Sequence, residues 1–588
     1  MSVYPSPVGL SKRLAKMARM RKHSFCASLS LSICLSTLVW AAQGSSAKRV
    51  LYNGKIFTGA PDHPYAEAVA IRGDKIVAVG TNAEVKAAVG EGAEKTDLQG
   101  RCLLPGLIDS HEHSIDGGVS LITAEVDDPD ISLNDLVTFA AESRKNGKGM
   151  RGDILYITGL SSGHWLHTDD LNASFSTGAY ANHPILLAGS DGHTGWANRT
   201  MLQRAGVTRD FLARLSETGR SYYGFDRNLE PNGFLVDAGL DKTFAKLSDL
   251  TPERYLEAGR AAVQYNHRLG ITAWLDPQAT TADLQTYRRL AELNELEAHV
   301  AAFPEVYPRS ETDPLARIQS IRDEYKNIPN LTVPGFKIFA DGVVEIPAQT
   351  AVMSKPYKNT GLSGELLFDP VPFAALVTAA DKQGLIVHVH VIGDRAVHEV
   401  LNAFEAVRKA NGNSGLPHTM THVQFASPTD IPRFAQLGII AALQLFWATA
   451  EEDSVELVKP YIDPTIYEWM YPARSLLDAG TVISGASDWP VSTANVFEAI
   501  YQAETRKGPE GVLIPSERMP REAMLYAYTR NSARAMNQLS SIGTIAPGKQ
   551  ADLVLVDRDV LTVSSEELKD TKVLWTMFGG KVVYRAEP

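Results

Sequence analysis

Two histidine pairs with one residue between them, His111/His113 and His388/His390, open the question of chemistry in this chain. With 15 His in 588 residues, chance predicts roughly 0.4 such pairs, so two exceed accident without settling their purpose. In a strand, residues i and i+2 face the same way, and both imidazoles of a pair can then reach one metal ion. Other polar residues fall in comparable places: Lys337 within one apolar run, His390 at the end of another, His422 on a third and Asp488 at the end of a fourth. A charged group inside an apolar strand is costly unless it is paired or bound to metal. Core histidines satisfied by backbone carbonyls are the alternative, and His388, one step deeper than His390, is assigned to that class.

Those residues need elements to bring them together. Eight short apolar runs have strand length: 103–111, 270–276, 298–306, 333–341, 385–394, 418–426, 438–447 and 481–490. Amphipathic stretches such as 252–269 and 373–383 lie between them. Nearly continuous apolar strands alternating with helices argue for a parallel sheet, and eight units fit a (β/α)8 TIM barrel. In that barrel the C-terminal strand ends converge, which would gather the polar residues above at one site. Residues 105–113 would close the first strand and 270–535 would complete the barrel.

Two regions fall outside this scheme. Residues 114–269 are too long for a loop and hold their own strand-like runs at 153–160 and 183–189, so an inserted subdomain is expected after strand 1. Short alternating strands with Gly turns in 48–104 and 536–588 predict a small composite β-sandwich built from both chain ends.

Residues 1–47 carry Lys12, Arg13, Lys16, Arg19, Arg21 and Lys22, no acid, then a Ser-rich apolar stretch ending in Ser45-Ser46-Ala47. This is how a cleaved signal peptide reads, with export to the periplasm or medium; the alternative is a membrane anchor, for which the stretch is barely long enough. The whole chain has net charge −11, and losing those cations makes the remainder more acidic, which argues against a nucleic-acid partner. Only Cys102 lies outside the signal, so neither a disulfide framework nor a Cys-rich zinc site is available. The acidic surface itself reads most simply as a solubility feature.

The segments LPGLIDSHEHS (104–114), GHTGWANRTML (192–202), GITAWLDP (270–277), FKIFADG (336–342), HVIGDRAV (390–397), THVQFASP (421–428), SGASDWPVS (484–492) and GTIAPGKQADLVLVDRD (543–559) together resemble the amidohydrolase superfamily. Within it the chain is similar to the YtcJ-like group, which includes an N-substituted formamide deformylase. The resemblance runs over nearly all of 48–588. It implies that His111, His113, Lys337, His390, His422 and Asp488 are the metal ligands. Lys337 would add carbon dioxide to become a carbamate bridging two divalent ions, helped by a burial-depressed pKa. His111 and His113 would hold the inner ion and His390 and His422 the outer one. The water they share would lose a proton at about neutral pH. Asp488 would be the catalytic residue, taking that proton and passing it to the leaving amine. A mononuclear site with unmodified Lys337 is the alternative. Zinc is the default metal, although iron, nickel or manganese accept the same donors.

Trp447, Trp489 and, in the GHTGWAN segment, His193, Trp196 and Asn198 are the candidate substrate contacts, suited to a small, partly aromatic ligand. Packing of these tryptophans between insertion and barrel is the competing interpretation. Asp394 and Arg395 are expected to form an ion pair near the site. The implied activity is metal-dependent hydrolysis of a carbon–nitrogen bond other than a peptide bond: an N-acyl, N-formyl or cyclic amide. Hydrolysis of an ester, carbamate or dipeptide with the same metals is an alternative. A non-catalytic periplasmic ligand-binding protein is a third. The expected partner is a small-molecule substrate, with no membrane span after signal cleavage, and a homodimer stays open.

Overall fold

The computed structural model of the protein describes residues 48–90 and 92–587. The expected signal peptide at 1–47 lies outside them. Eight parallel strands stand where the apolar runs are: β1 Leu107–Asp109, β2 Ile271–Pro277, β3 His299–Phe303, β4 Gly335–Phe339, β5 Ile386–Val391, β6 Thr419–His422, β7 Ile440–Leu443 and β8 Ile483–Gly485. Strands β1 to β3 pair in one ladder and β4 to β8 in another. A bridge between Glu305 and Lys337 joins β3 to β4. The ring closes where Ser110 N donates to Gly485 O at 2.9 Å and Asp488 N to His111 O at 2.8 Å. This is a TIM-barrel-type fold.

Helices follow the strands. Thr281–Glu292, Pro314–Tyr325, Pro370–Lys382 and Asp394–Asn411 come after β2 to β5; Ile431–Leu437, Ala473–Asp478 and Val496–Thr505 come after β6 to β8. Pro at the first turn of the helices at 314, 370 and 431 presets φ without losing a needed N–H. Strand residues are buried almost throughout, as parallel strands covered on both faces require.

The apolar run at 103–111 serves two sheets. Cys102–Pro105 pairs antiparallel with Leu553–Val556, and only Leu107–Asp109 joins the barrel. Gly106 sits at the junction because a Cβ there would come within 2.1 Å of Thr272 Oγ1. Strands from both ends of the described chain thus share one six-stranded sheet, beside a four-stranded sheet of residues 48–97.

The segment after β1 forms a six-stranded sheet from Met150–Arg151, Ile154–Leu160, Ile185–Gly189, Thr194–Ala197, Tyr223–Phe225 and Pro231–Val236. Its core includes Trp165, Phe175, Tyr180 and Trp196. The expected boundary at 269 is corrected here, because helix Pro252–Arg268 covers the barrel and not the inserted sheet. Its Val263 packs in the barrel core, and Ala258 O approaches Gly118 of helix Ser114–Ile122 so closely that a Cβ there would lie 2.1 Å away. Among the described residues no helix is long and apolar enough to cross a membrane.

Candidate metal centre

The six residues singled out from strand ends all line one cavity of about 940 Å³ at the barrel mouth. Two loops interlock to form its floor. Asp488 N donates to His111 O and His113 N to Trp489 O, each at 2.8 Å, tying the loop after β8 to the end of β1. Asp488 has φ +62° and His422 φ +70°. A left-handed backbone at a non-glycine residue costs of order 1–3 kcal/mol, a strain that concentrates at functional sites.

Asp488 Oδ1 lies 3.2 Å from His111 Nε2 and 3.2 Å from His113 Nε2, and its Oδ2 is 3.9 Å from His422 Nδ1. Ligand atoms of His111, His422 and Asp488 fall within 4.8 Å of one another. His111 Nε2 and Asp488 Oδ1 are both buried, yet neither has a hydrogen-bond partner. Each such atom costs about 1–3 kcal/mol when left unsatisfied, a penalty that a shared cation removes. The donor set, imidazole nitrogens around a carboxylate, suits a divalent transition metal.

The outer contacts of the histidines orient their lone pairs inward. His390 Nε2 donates to Gly342 O at 3.1 Å, which leaves Nδ1 for a cation. His422 Nδ1 lies 3.1 Å from Gln444 Oε1, an acceptor, which leaves Nε2. His111 Nδ1 lies 2.7 Å from His388 Nε2, and His388 Nδ1 meets Thr419 Oγ1. These are the outer partners that metal-ligating histidines generally need. Burial drives His111, His390 and His422 toward the neutral form that binds metal, His422 to about 3. Asp488 is pulled the other way: burial pushes its carboxyl up, but His111, His113 and His422 together hold it well below the usual carboxylate range.

Lys337 is 1% exposed. Burial lowers its amine to about 8, against the opposing charges of Asp488 and Glu305. Asp109, at the end of β1, accepts from His111 N at 3.0 Å and Ser487 N at 3.2 Å, and burial pushes its carboxyl up to about 7.

The substrate candidates divide. His193 lines the cavity, with its Nδ1 2.7 Å from Asp237 Oδ1. Burial opposes the charged form, but the hydrogen bond and charge of Asp237, with Asp191 beyond, raise this imidazole to about 9. Trp196 is corrected to a core residue: it is fully buried on a fully buried strand, and its Nε1 donates to Asn232 O at 3.2 Å. Asn198 is corrected to a helix cap. Its Oδ1 accepts from Met201 N and Ile185 N, and its amide donates to Phe175 O and His183 O, which uses up the side chain. Trp489 turns away from the cavity to stack on Tyr265 at 4.3 Å, against Gly117. Trp447 lies flat against the His422 ring, centroids 5.7 Å apart, and so backs a ligand position without lining the cavity. The aromatic wall comes instead from Tyr156, Tyr222, Phe244, Tyr255 and Phe339. The expected Asp394–Arg395 pair is also corrected, since Asp394 accepts from Ser354 N and Ser354 Oγ and so anchors the loop before it.

His388 is a core histidine, as expected, but bonds the side chains of His111 and Thr419, and Asp237 and Asp109 join the site without having been expected there. His388 had a usable signal, since it shares a strand face with His390; Asp237 lies in no motif.

A TIM-type barrel with histidines, a lysine and an aspartate converging at its C-terminal mouth defines a metal-dependent hydrolase type of site. Residues 94–584 match the amidohydrolase family, and the chain belongs to it. Protein LONG AFTER FAR-RED 3 of Arabidopsis thaliana is 29% identical, covering 92% of both chains. The N-substituted formamide deformylase of Arthrobacter pascens is 25% identical over 91% of this chain and 98% of its own. An uncharacterised metal-dependent hydrolase from Pyrococcus horikoshii OT3 shares the fold with TM-score 0.67 and 23% identity, covering 88% of this chain and 99% of the other.

Proposed function

We propose that the protein hydrolyses a non-peptide C–N bond, an N-acyl, N-formyl or cyclic amide, in a small, partly aromatic substrate. The observation that carries this is the Asp488 carboxylate, set 3.2 Å from both His111 and His113 at the floor of the cavity with one oxygen unsatisfied. The cavity volume falls within the usual range for small-ligand pockets. Tyr156, Tyr222, Phe244 and Tyr255 supply its aromatic character.

His111, His113 and Asp488 would hold an inner divalent ion and His390 and His422 an outer one, with Lys337, as its carbamate, between them. Such ions, zinc by default, supply Lewis acidity and acidify bound water. The chain's own residues do the rest. Lys337, with its amine lowered to about 8, has neutral nitrogen available to take up carbon dioxide. Asp488 accepts the proton of the attacking water and delivers it to the departing nitrogen as the C–N bond breaks, giving a carboxylic acid and an amine. The backbone bonds from Asp488 N to His111 O and from His113 N to Trp489 O keep it aimed into the cavity. The inserted segment supplies part of the cavity wall through Tyr156, His193, Tyr222 and Asp237.

A panel of N-formyl, N-acyl and cyclic amides, paired with the matching esters, tests this on protein of measured metal content. Amide turnover that disappears with a chelator and returns with metal is the expected result. Turnover of esters alone, or of nothing by fully metal-loaded protein, contradicts it.

A further inference from the structure

Gln278 and Glu305 follow the ends of the neighbouring strands β2 and β3, and both line the cavity. Gln278 Nε2 donates to Glu305 Oε2 at 2.8 Å, and the Tyr307 hydroxyl donates to the same oxygen, also at 2.8 Å. Two donors on one oxygen fix the carboxylate, and among the described residues nothing bonds its Oε1. Arg317 reaches only the backbone carbonyl of Glu305 and keeps its ion pair for Glu311.

The insertion brings a second carboxylate to this part of the cavity. Helix Ala238–Phe244 carries Asp241 and Phe244, three residues apart and so on one helix face, and both line the cavity. Asp241 has neither a side-chain hydrogen bond nor an ion pair among the described residues. Burial, then the charges of Asp237 and Glu305, raise its carboxyl to about 6, against the opposing charge of His193. Tyr307, bonded to Glu305, is raised by Asp241 as well, after burial and Glu305 itself. The two carboxylates therefore lie in one another's field.

The cations lining the cavity are engaged elsewhere. Arg309 pairs with Glu365 and Asp369, each at 3.3 Å. Arg151 Nε donates to Ser248 O at 3.0 Å, His193 is held by Asp237, and Lys337 belongs to the metal centre. Two neighbouring carboxylates with no cation between them disfavour each other's charge, and a positive ligand reverses that. A cleft wall of one sign also concentrates the opposite charge. Phe244 adds an aromatic ring, and ring faces attract ammonium groups.

We propose that Glu305 and Asp241 form a subsite for a protonated amine, so that the substrate is an amide carrying a second, positively charged nitrogen. This deepens the hydrolytic reading above and rests on it. Glu305 is then a specificity-determining residue and Gln278 a positioning residue that acts through it.

The test uses benzylamine, protonated at neutral pH, and benzyl alcohol, its uncharged counterpart of similar shape. Both are titrated calorimetrically into metal-loaded wild type, Glu305→Gln and Asp241→Asn, with metal content and thermal unfolding measured on each. Wild type should bind the amine about tenfold to a hundredfold more tightly than the alcohol, the range for a hydrogen bond to a charged group. Each substitution should remove most of that preference by weakening the amine alone. Should Glu305→Gln lose metal, Asp241→Asn, which bonds none of the proposed ligands, decides the matter. Among amides, KM for one bearing an aminomethyl group should lie below that of its methyl counterpart, and Glu305→Gln should lose the advantage. Equal affinity of wild type for the two probes overturns the subsite, as does an undiminished preference for benzylamine in the folded, metal-loaded variants. Turnover of no amide by metal-loaded wild type would sink the hydrolytic reading instead, and the benzylamine titration would still decide the subsite.

Discussion

His388 Nε2 lies 2.7 Å from His111 Nδ1, deep below the cavity floor. One proton assignment serves the whole chain: His111 Nδ1–H donates to His388 Nε2, and His388 Nδ1–H donates to Thr419 Oγ1. The free lone pair of His111 is then Nε2, the atom beside Asp488. Replacing His388 with Phe keeps the ring volume but removes the acceptor. Metal affinity, followed by competition with a chromogenic chelator, should weaken about 10- to 100-fold. Unchanged affinity would show that His111 does not need this partner.

Lys337 is the second test. Lys337→Met should lower both metal content and turnover, because no carbamate can form. Lys337→Ala should recover part of both when a short carboxylic acid is added. Full activity with two ions in Lys337→Met would rule out the bridge.

Trp196 separates core from pocket. Truncation of a fully buried tryptophan costs about 3–5 kcal/mol, so Trp196→Ala should unfold at much lower denaturant. Its KM should stay near that of wild type wherever the variant remains folded. A raised KM without lost stability would return Trp196 to the substrate.

Export is a prediction from residues 1–47 alone. N-terminal sequencing of protein from the periplasm or medium should begin after Ala47 or a few residues earlier. An intact N-terminus on cytoplasmic protein contradicts it.

The barrel was legible because parallel strands are buried on both faces and so appear as apolar runs, and the polar residues lining its mouth because they stand out in such runs. His111 with His113, and His422 within its run, carry that contrast plainly. The GHTGWAN segment was harder. Trp196 and His193 lie in the same motif, but the first fills a core and the second faces a cavity, and the difference depends on which sheet face the barrel covers. Gly233, with φ +108° and no Cβ to strike Trp196 Nε1, makes room for the tryptophan from a distant strand. Asp237 is likewise brought to His193 only by the pairing of Thr194–Ala197 with Pro231–Val236, which no local pattern announces. Trp489 follows Asp488 directly, yet the turn that aims Asp488 inward sends its neighbour out against Tyr265.

The central claim is that Asp488 both helps hold metal and moves the proton, and Asp488→Asn separates the two roles. The amide keeps the shape and one ligand oxygen but cannot accept a proton. His111, His113, His390, His422 and Lys337 remain to bind ions. Metal analysis beside steady-state kinetics on an amide substrate should show most of the metal and the fold retained, kcat reduced by about 10²–10⁴, and the acidic limb of the pH–rate profile altered. Near-normal kcat in the metal-loaded Asp488→Asn protein would contradict the account, because some other group would then be moving the proton.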